Sequence, residues 1–318
     1  MQQNGEKNFA GIGTCPAFIN VVEKASKFAT VPRPILIRGE RGTGKEVLAQ
    51  YIHNQSQRCD EKFVAINCAA LHDELFIAEI FGHEKGAFTG ATSNRIGKLE
   101  LAHKGTLFLD EVANMSRDAQ EKLLRVVEYQ QFERLGGSEE IHVDVRIVAA
   151  TNAHLATMIA KGEFLADLYD RIAFAELTLP PLRKRREDIP ALISHFLKNL
   201  HHEMPDIEKK VFTPAAVRAL QAYHWPGNMR ELKNVIERHY IWDADGVIHA
   251  SELPLEITTV EPIGGTFHEQ VRAFEKSLLL NTLKDVMGNQ REAAKRLGMT
   301  YDQFRHYYKK FALGELLA

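Results

Sequence analysis

The run Ile35-Leu36-Ile37-Arg38-Gly39-Glu40-Arg41-Gly42-Thr43-Gly44-Lys45 decides the fold. Its first four residues read as a short strand, and the glycine-rich turn after them opens into a helical pattern, the setting that a phosphate-binding loop requires. Glycines let successive N–H groups turn inward around an anion, the helix N-terminus adds partial positive charge, and Lys45 adds a full one. The spacing is G-x4-G-K, but position 46 is Glu rather than Ser or Thr. A hydroxyl ligand for Mg²⁺ is therefore missing there, while Gly39 through Glu46 remain the candidate nucleotide contacts.

Outward from this turn, β-rich runs alternate with helical patterns: ILIR at 35, FVAIN at 63, TLFL at 106, VDVRIVAA at 143 and AELTL at 175. Such alternation predicts an α/β fold, a parallel sheet wrapped by helices. The pattern from Ser116 to Tyr129 predicts a covering helix, capped by Ser116, with an apolar stripe through Leu123, Leu124 and Val127. At the end of TLFL, the pair Asp110-Glu111 is placed to hold Mg²⁺ through Asp110 and to orient and deprotonate an attacking water through Glu111. Alone, such a pair reads as a solvated strand end; with the glycine turn upstream, it predicts binding and hydrolysis of a nucleoside triphosphate.

After Pro180-Pro181 the β signal fades. Residues 187–243 read as amphipathic helices, one starting at Thr213-Pro214. The boundaries expected are 1–182 for the nucleotide-binding part, 183–250 for a helical lid, 251–266 for a linker rich in Pro and Gly, and 267–318 for a terminal helical domain. That last part opens with a long helix, Phe267 to Met287. Two shorter ones follow, the first ending at Gly298 and the second beginning after Thr300, the outline of a helix-turn-helix.

Charge supports a division of labour. Residues 288–312 carry six Lys or Arg against Glu292 and Asp302, a local +4 in a chain of net −2. A basic end on an acidic body confines the expected DNA contacts to that end. Arg291, Gln303, Arg305, His306 and Lys309 are the candidates for the DNA-facing surface, with Phe304 and Tyr308 assigned to the core. A basic helical dimerisation tail is the other reading of the same stretch. The three cysteines, Cys15, Cys59 and Cys68, lack CxxC spacing, which argues against a disulfide framework or a zinc site. No apolar run of about 18 residues and no signal-peptide pattern occurs, so no membrane insertion and a cytoplasmic location are expected.

The segment Phe81-Gly82-His83-Glu84-Lys85-Gly86-Ala87-Phe88-Thr89-Gly90-Ala91 contains GAFTGA, which resembles the signature loop of the sigma-54-dependent activators, also called bacterial enhancer-binding proteins. The resemblance runs from about Phe9 to Lys310 through GERGTGKE, NCAAL, GTLFLDE, EKLLRVVE, ATN, LPPLR and WPGNMRELKN, and lies nearest to members lacking an N-terminal sensory domain. It implies an AAA+ ATPase fold with a lid and a Fis-type helix-turn-helix, ATP and Mg²⁺ as cofactors, and assembly into a homo-oligomer, a hexamer by family inference, or a hetero-oligomer. It also implies enhancer DNA and sigma-54 RNA polymerase as partners, with Gly86, Phe88, Thr89 and Gly90 at the sigma-54 contact. By matching position, Asn67 is a polar switch that relays the γ-phosphate to Glu111, Thr151 and Asn152 form the first sensor, and Arg230 is the second. Read from the residues alone, Asn67 and Asn152 serve equally as strand-end caps, Arg230 as a solvated helix charge, and Phe88 as a ring tucked under its own loop.

One departure stands out. Where the family has F-R-x-D-L-x-x-R, this chain reads Phe164-Leu165-Ala166-Asp167-Leu168-Tyr169-Asp170-Arg171. The resemblance implies two arginines reaching a neighbour's ATP, and Leu165 removes the first, leaving Arg171. Slower or partner-dependent hydrolysis follows as an expectation. The first eight residues leave no room for a sensory domain, so control is expected from outside the chain, for instance from a regulatory protein acting in trans. The alternatives are another AAA+ remodelling ATPase and a nucleotide-switched DNA-binding repressor.

Overall fold

The computed structural model describes residues 12–70, 73–242, 246–254 and 288–311, with isolated positions between 257 and 286 and at 313. The expected linker 251–266 and the helix expected from Phe267 to Met287 lie mostly outside the described residues. The chain divides into two compact units, Met1–Val217 with His224–Ile248, and Arg218–Tyr223 with His249–Ala318.

Along the chain the elements run α1 (Pro16–Ala29), β1 (Ile35–Arg38), α2 (Lys45–Asn54), β2 (Phe63–Asn67), α3 (Asp73–Phe81), α4 (Lys98–Leu101), β3 (Thr106–Asp110), α5 (Arg117–Tyr129), β4 (Gln131–Glu133), β5 (Glu140–His142) and β6 (Arg146–Thr151). They continue with α6 (Leu155–Ala160), α7 (Ala166–Ile172), β7 (Ala175–Thr178), α8 (Ile189–Glu203), β8 (Val211–Phe212), α9 (Pro214–Ala222), α10 (Asn228–Trp242) and β9 (Val247–Ile248). Five strands form one parallel sheet in the order β2-β3-β6-β1-β7. Both faces are covered, which is why the inner strands β1, β3 and β6 are buried nearly throughout, while the edge strand β7 alternates. Ile35, Ile37, Phe108, Val148 and Ala150 pack with Phe18 of α1 and Leu48 and Ile52 of α2. Leu36, Leu107, Leu109, Ile147 and Ala149 point the other way, against Phe76, Leu123, Val126 and Leu168.

Ser116 caps α5, its side chain accepting from the Ala119 N–H. The buried stripe of α5 is Leu123 and Val126, while Leu124 and Val127 are half-buried, a small rotation from the expected face. Two further differences concern strands. The last-but-one sheet strand begins at Arg146 rather than at Val143, and a two-stranded antiparallel hairpin, β4 with β5, precedes it. Only Phe132 of that hairpin is buried, so its sequence carries almost no alternating signal. Where the β signal fades after Pro181, a two-residue parallel pair, β8 with β9, still forms.

In the second unit, α11 (Gln290–Arg296) and α12 (Tyr301–Lys310) enclose a turn at Gly298, whose φ is +65°. The Asn289 side chain accepts from the N–H groups of Arg291 and Glu292, and Thr300 and Gln303 form a reciprocal capping box at the start of α12. Phe304 is fully buried beside Ala293, Ala294 and Leu283. The small alanines let the two helices approach closely.

Arg146 is a buried cation in the first unit. Its guanidinium donates to the carbonyls of Phe28 (2.8 Å), Ala29 (2.7 Å) and Arg33 (3.3 Å), so it closes the C-terminal end of α1, where unpaired carbonyls concentrate negative charge. Burial pulls its pKa down to about 10, and the charge persists at neutral pH. Replacing Arg146 by Met should strand these carbonyls and lower the unfolding free energy by roughly 2–4 kcal/mol, measured by urea denaturation.

Candidate functional site

The C-terminal ends of β1, β3 and β6 open on one crevice, the place where parallel sheets take ligands. From β1 comes the glycine turn. Gly42 and Gly44 adopt φ of +75° and +93°, conformations that side chains rarely take, and α2 starts at Lys45 immediately after Gly44. Thr43 turns its hydroxyl onto the Glu40 carbonyl (2.8 Å), and Glu46 is exposed.

From β3 come Asp110 and Glu111. Glu111 is buried in the left-handed region at φ +56°, a costly backbone for a non-glycine residue. Its carboxylate lies 3.5 Å from Lys45 Nζ and accepts from the Asn152 N–H at 3.3 Å. Lys45 also donates to the carbonyls of Gly39 (3.2 Å) and Glu40 (3.4 Å). Thr151, at the end of β6, is fully buried, its carbonyl accepting from the Gly39 N–H and its hydroxyl from Ala153 N–H. Three strand ends thus converge on one ammonium and one carboxylate.

Asp110 accepts from the Glu111 N–H at 3.0 Å. Burial raises its pKa; Lys45 opposes this and Glu111 reinforces it. Two adjacent carboxylates facing one lysine leave the crevice short of positive charge, which suits a divalent cation arriving with a triphosphate. Among the described residues no cluster of three His, Cys, Asp or Glu could hold a metal by itself.

The expected switch residue Asn67 lies beside Asp110 across the β2–β3 ladder, but its side chain accepts from the Ala69 N–H at 2.8 Å. It caps its own strand end here, while Glu111 is held by Lys45 and Asn152. Arg230, in the first turn of α10, is exposed, and its charge lowers the Asp110 pKa. Sequence reasoning missed Asn228 and Arg183. Asn228 is fully buried at φ +55° and joins Glu40, Arg41 and Leu182, while Arg183 forms a two-pronged pair with Glu40. That pair, with help from Asn228, holds the Glu40 carboxyl down to about 2.

The loop from Gly82 to Gly97 is closed at its base. His83 pairs with Arg95 on one side and Leu135 on the other, and Gly82 and Gly97 pack so closely that neither has room for a side chain. Toward the tip, the Gly86 N–H bonds the Ala91 carbonyl and the Ala91 N–H that of Phe88. Gly86 and Gly90 have φ of +87° and +105°. Thr89 is exposed, but Phe88 is half-buried, its ring edge-on to His83 at 4.9 Å. The ring rests on the base of its own loop. His83 is buried, and its Nδ1 has no hydrogen-bond partner among the described residues. Arg134 joins the Glu100 carboxylate at 2.9 Å, bracing the segment after β4 against α4.

On a separate edge, Leu165 is half-buried against the sheet core, its N–H held by the Gln120 side chain at 2.8 Å. Arg171 is exposed and paired with Glu128 at 2.8 Å. In the second unit Arg291, Arg305, His306 and Lys309 are exposed, Phe304 is buried and Tyr308 half-buried, as expected. Gln303 is exposed too, but its side-chain oxygen is committed to the Thr300 N–H at 2.9 Å. Arg291 lies over the Tyr301 ring at 5.4 Å. No helix among the described residues is long and apolar enough to cross a membrane.

Comparison with known proteins divides the chain into three matches: residues 12–178 to the sigma-54 interaction domain, 183–269 to the AAA+ ATPase lid domain, and 270–309 to the bacterial regulatory protein, Fis family. The chain is 42% identical over 319 residues to the Psp operon transcriptional activator of Escherichia coli (strain K12), covering 94% of this chain and 97% of that protein. It is 43% identical over 292 residues to nitrogen fixation protein AnfA of Azotobacter vinelandii, covering 91% of this chain and 55% of AnfA. Among solved structures, NtrX from Brucella abortus in complex with ADP superposes with a TM-score of 0.74 at 36% identity, over 95% of this chain and 69% of that one.

The raised pKa of Asp110 has a measurable consequence. A folded-state pKa above the unfolded value means that protonation favours the fold. This stability is fully present below the unfolded pKa and lost as pH rises through the folded one. At neutral pH the charged side chain is therefore a cost. Asp110→Asn should raise the melting temperature at pH 8, with the gain vanishing in acid, as followed by thermal unfolding at several pH values.

Proposed function

The chain belongs to the sigma-54 interaction-domain family, the sigma-54-dependent transcriptional activators, and from that membership we propose that it uses ATP hydrolysis to remodel sigma-54 RNA polymerase at a promoter. The observation that carries the reading is the joint placement of Lys45, Glu111 and Asn152 in one crevice, in a chain whose Thr89 stands exposed on a braced loop.

In this reading the N–H groups from Gly39 to Glu46 and the Lys45 ammonium bind the triphosphate. Asp110 would hold the Mg²⁺ arriving with ATP, without a hydroxyl from position 46, and the ion would supply charge neutralisation at the phosphates. Glu111 orients and deprotonates the attacking water once the phosphates compete for Lys45. Asn67 turns from Ala69 toward the γ-phosphate, Asn152 carries the position of Glu111 to β6, and Arg230 meets the phosphates from the lid. The tip, with Gly86 and Gly90 as hinges and Phe88 lifted from His83, presents Phe88 and Thr89 to sigma-54. Arg291, Arg305, His306 and Lys309, with Gln303 in a capping role, face enhancer DNA. The NtrX structures with ADP and with ATP support the nucleotide assignment.

We assign 1–182 to the nucleotide-binding part, 183–250 to the lid, 251–266 to the linker and 267–318 to the DNA-binding domain. Assembly is a ring of like or mixed subunits in the cytoplasm, hexameric by analogy, and a regulatory protein acts in trans. Transcription from a sigma-54 promoter in a purified system should require this chain and ATP, and Thr89→Ala should abolish it while leaving DNA binding in place. Transcription without ATP, or undiminished by the substitution, sinks the reading in favour of another remodelling ATPase or a nucleotide-switched repressor.

The repressor reading draws on one arrangement: Leu165 lies half-buried against the core and Arg171 is tied to Glu128. A missing finger slows turnover, since such an arginine is worth roughly 10³ or more in rate. Leu165→Arg should therefore raise steady-state ATPase about tenfold or more in the assembled protein; an unchanged rate means that the position has no role in turnover.

A further inference from the structure

Glu40 poses a problem, because it puts a carboxylate on a turn built to bind anions. The structure removes that charge from the cradle. Arg183 Nη1 donates to Glu40 Oε2 at 2.8 Å, its second amine takes the other oxygen, and Asn228 Nδ2 adds a bond to Oε2 at 3.2 Å. The same Asn228 amide donates to the Arg41 carbonyl at 2.9 Å, and its oxygen accepts the Leu182 N–H at 2.8 Å. One residue further, the Met229 N–H donates to the Gly42 carbonyl at 3.0 Å. Gly42 and Gly227 meet so closely that a methyl group on Gly42 would lie 2.2 Å from the Gly227 carbonyl oxygen.

Residues 40, 41 and 42 are thus gripped by Arg183 and by 227–229, and Leu182 holds Asn228 in place. The shape of the turn does not need this grip, since its left-handed glycines and the Thr43 bond to the Glu40 carbonyl already set it. What the grip fixes is the first turn of α10, and Arg230 follows Asn228 by two residues, its Cβ beside Gly42. We propose that Glu40, Arg183 and Asn228 are positioning residues that dock the start of α10 on the phosphate-binding turn and so hold Arg230 over the triphosphate. The proposal rests on the ATP reading given above. A two-pronged arginine–carboxylate pair suits this task, because its planar geometry fixes direction as well as distance.

The test is a double-substitution cycle on the full chain, with affinity for a fluorescent ATP analogue as the readout. Arg183→Ala, made together with Glu40→Gln so that no carboxylate is freed onto the turn, and Arg230→Ala should each weaken binding by roughly tenfold, the scale of one charge-assisted hydrogen bond. The combined variant should bind no more than about twofold worse than Arg230→Ala, because the clasp has nothing left to position. Asn228→Gly keeps a residue at ease in the left-handed region while deleting the amide, and should show the same lack of additivity if Arg183→Ala does not fold. Arg183→Lys, which keeps the charge and loses the fork, should recover only part of the loss. Losses that multiply in both cycles mean that the clasp merely supports the turn, and wild-type affinity in Arg183→Ala means that it does nothing; either result overturns the proposal. Failure of the unsubstituted chain to bind the analogue overturns the ATP reading itself, an outcome distinct from additivity.

Discussion

Taking an ammonium out of water costs several kcal/mol unless its charge is met, and Lys45 is only 7% exposed. The crevice meets that charge with Glu111 and with two carbonyls of the glycine turn. Everything at the site follows from this sharing. Glu111 is drawn inward in a strained left-handed backbone, Asn152 is tied to it through its N–H, and the ends of β1, β3 and β6 are pinned to one point. A triphosphate brings more negative charge than one carboxylate and competes for the same lysine. In the proposed ATP reading, the residue assigned to activate water is also the one that the incoming phosphates displace, so binding and arming of the site are one event.

Glu111 also begins a chain of contiguous structure. A short 3-10 turn, Val112–Asn114, leads from it to Ser116 and α5, and α5 runs into the β4–β5 hairpin. Leu135, just beyond β4, bridges to His83 at the base of the loop, and Arg134 braces the same segment to Glu100. The loop is therefore built as a stiff outgrowth of the elements next to the carboxylate pair. Its tip is the six residues Gly86–Ala91, in which Gly86 and Gly90 take positive φ. Phe88, resting on His83, keeps part of its apolar face out of water.

The parts legible in the sequence were those with a local physical cause. Buried parallel strands show as apolar runs, so all five sheet strands could be placed, and the glycine turn announced itself because side chains rarely take the conformations found at 42 and 44. The caps at Ser116, Thr213-Pro214 and Thr300 marked helix starts for the same reason. What could not be read depends on partners far apart in the chain. Asn228 and Arg183 look like a solvated amide and a surface charge until the fold brings them to Glu40, 188 and 143 residues away. The β4–β5 hairpin has one buried side chain, and the bond of the Asn67 side chain to the Ala69 N–H is one that no spacing encodes. GAFTGA marked the loop, but the retreat of Phe88 onto His83 needed the geometry of its base.

That base has a mechanical corollary. Gly82 and Gly97 cross backbone to backbone: a methyl group on Gly82 would lie 2.5 Å from the Arg95 carbonyl oxygen, and one on Gly97 would lie 2.4 Å from the Gly82 nitrogen. Any side chain at either position would act as a wedge driven between the two segments. On the ATP-driven reading proposed above, such a wedge would uncouple fuel consumption from movement, leaving a motor that idles.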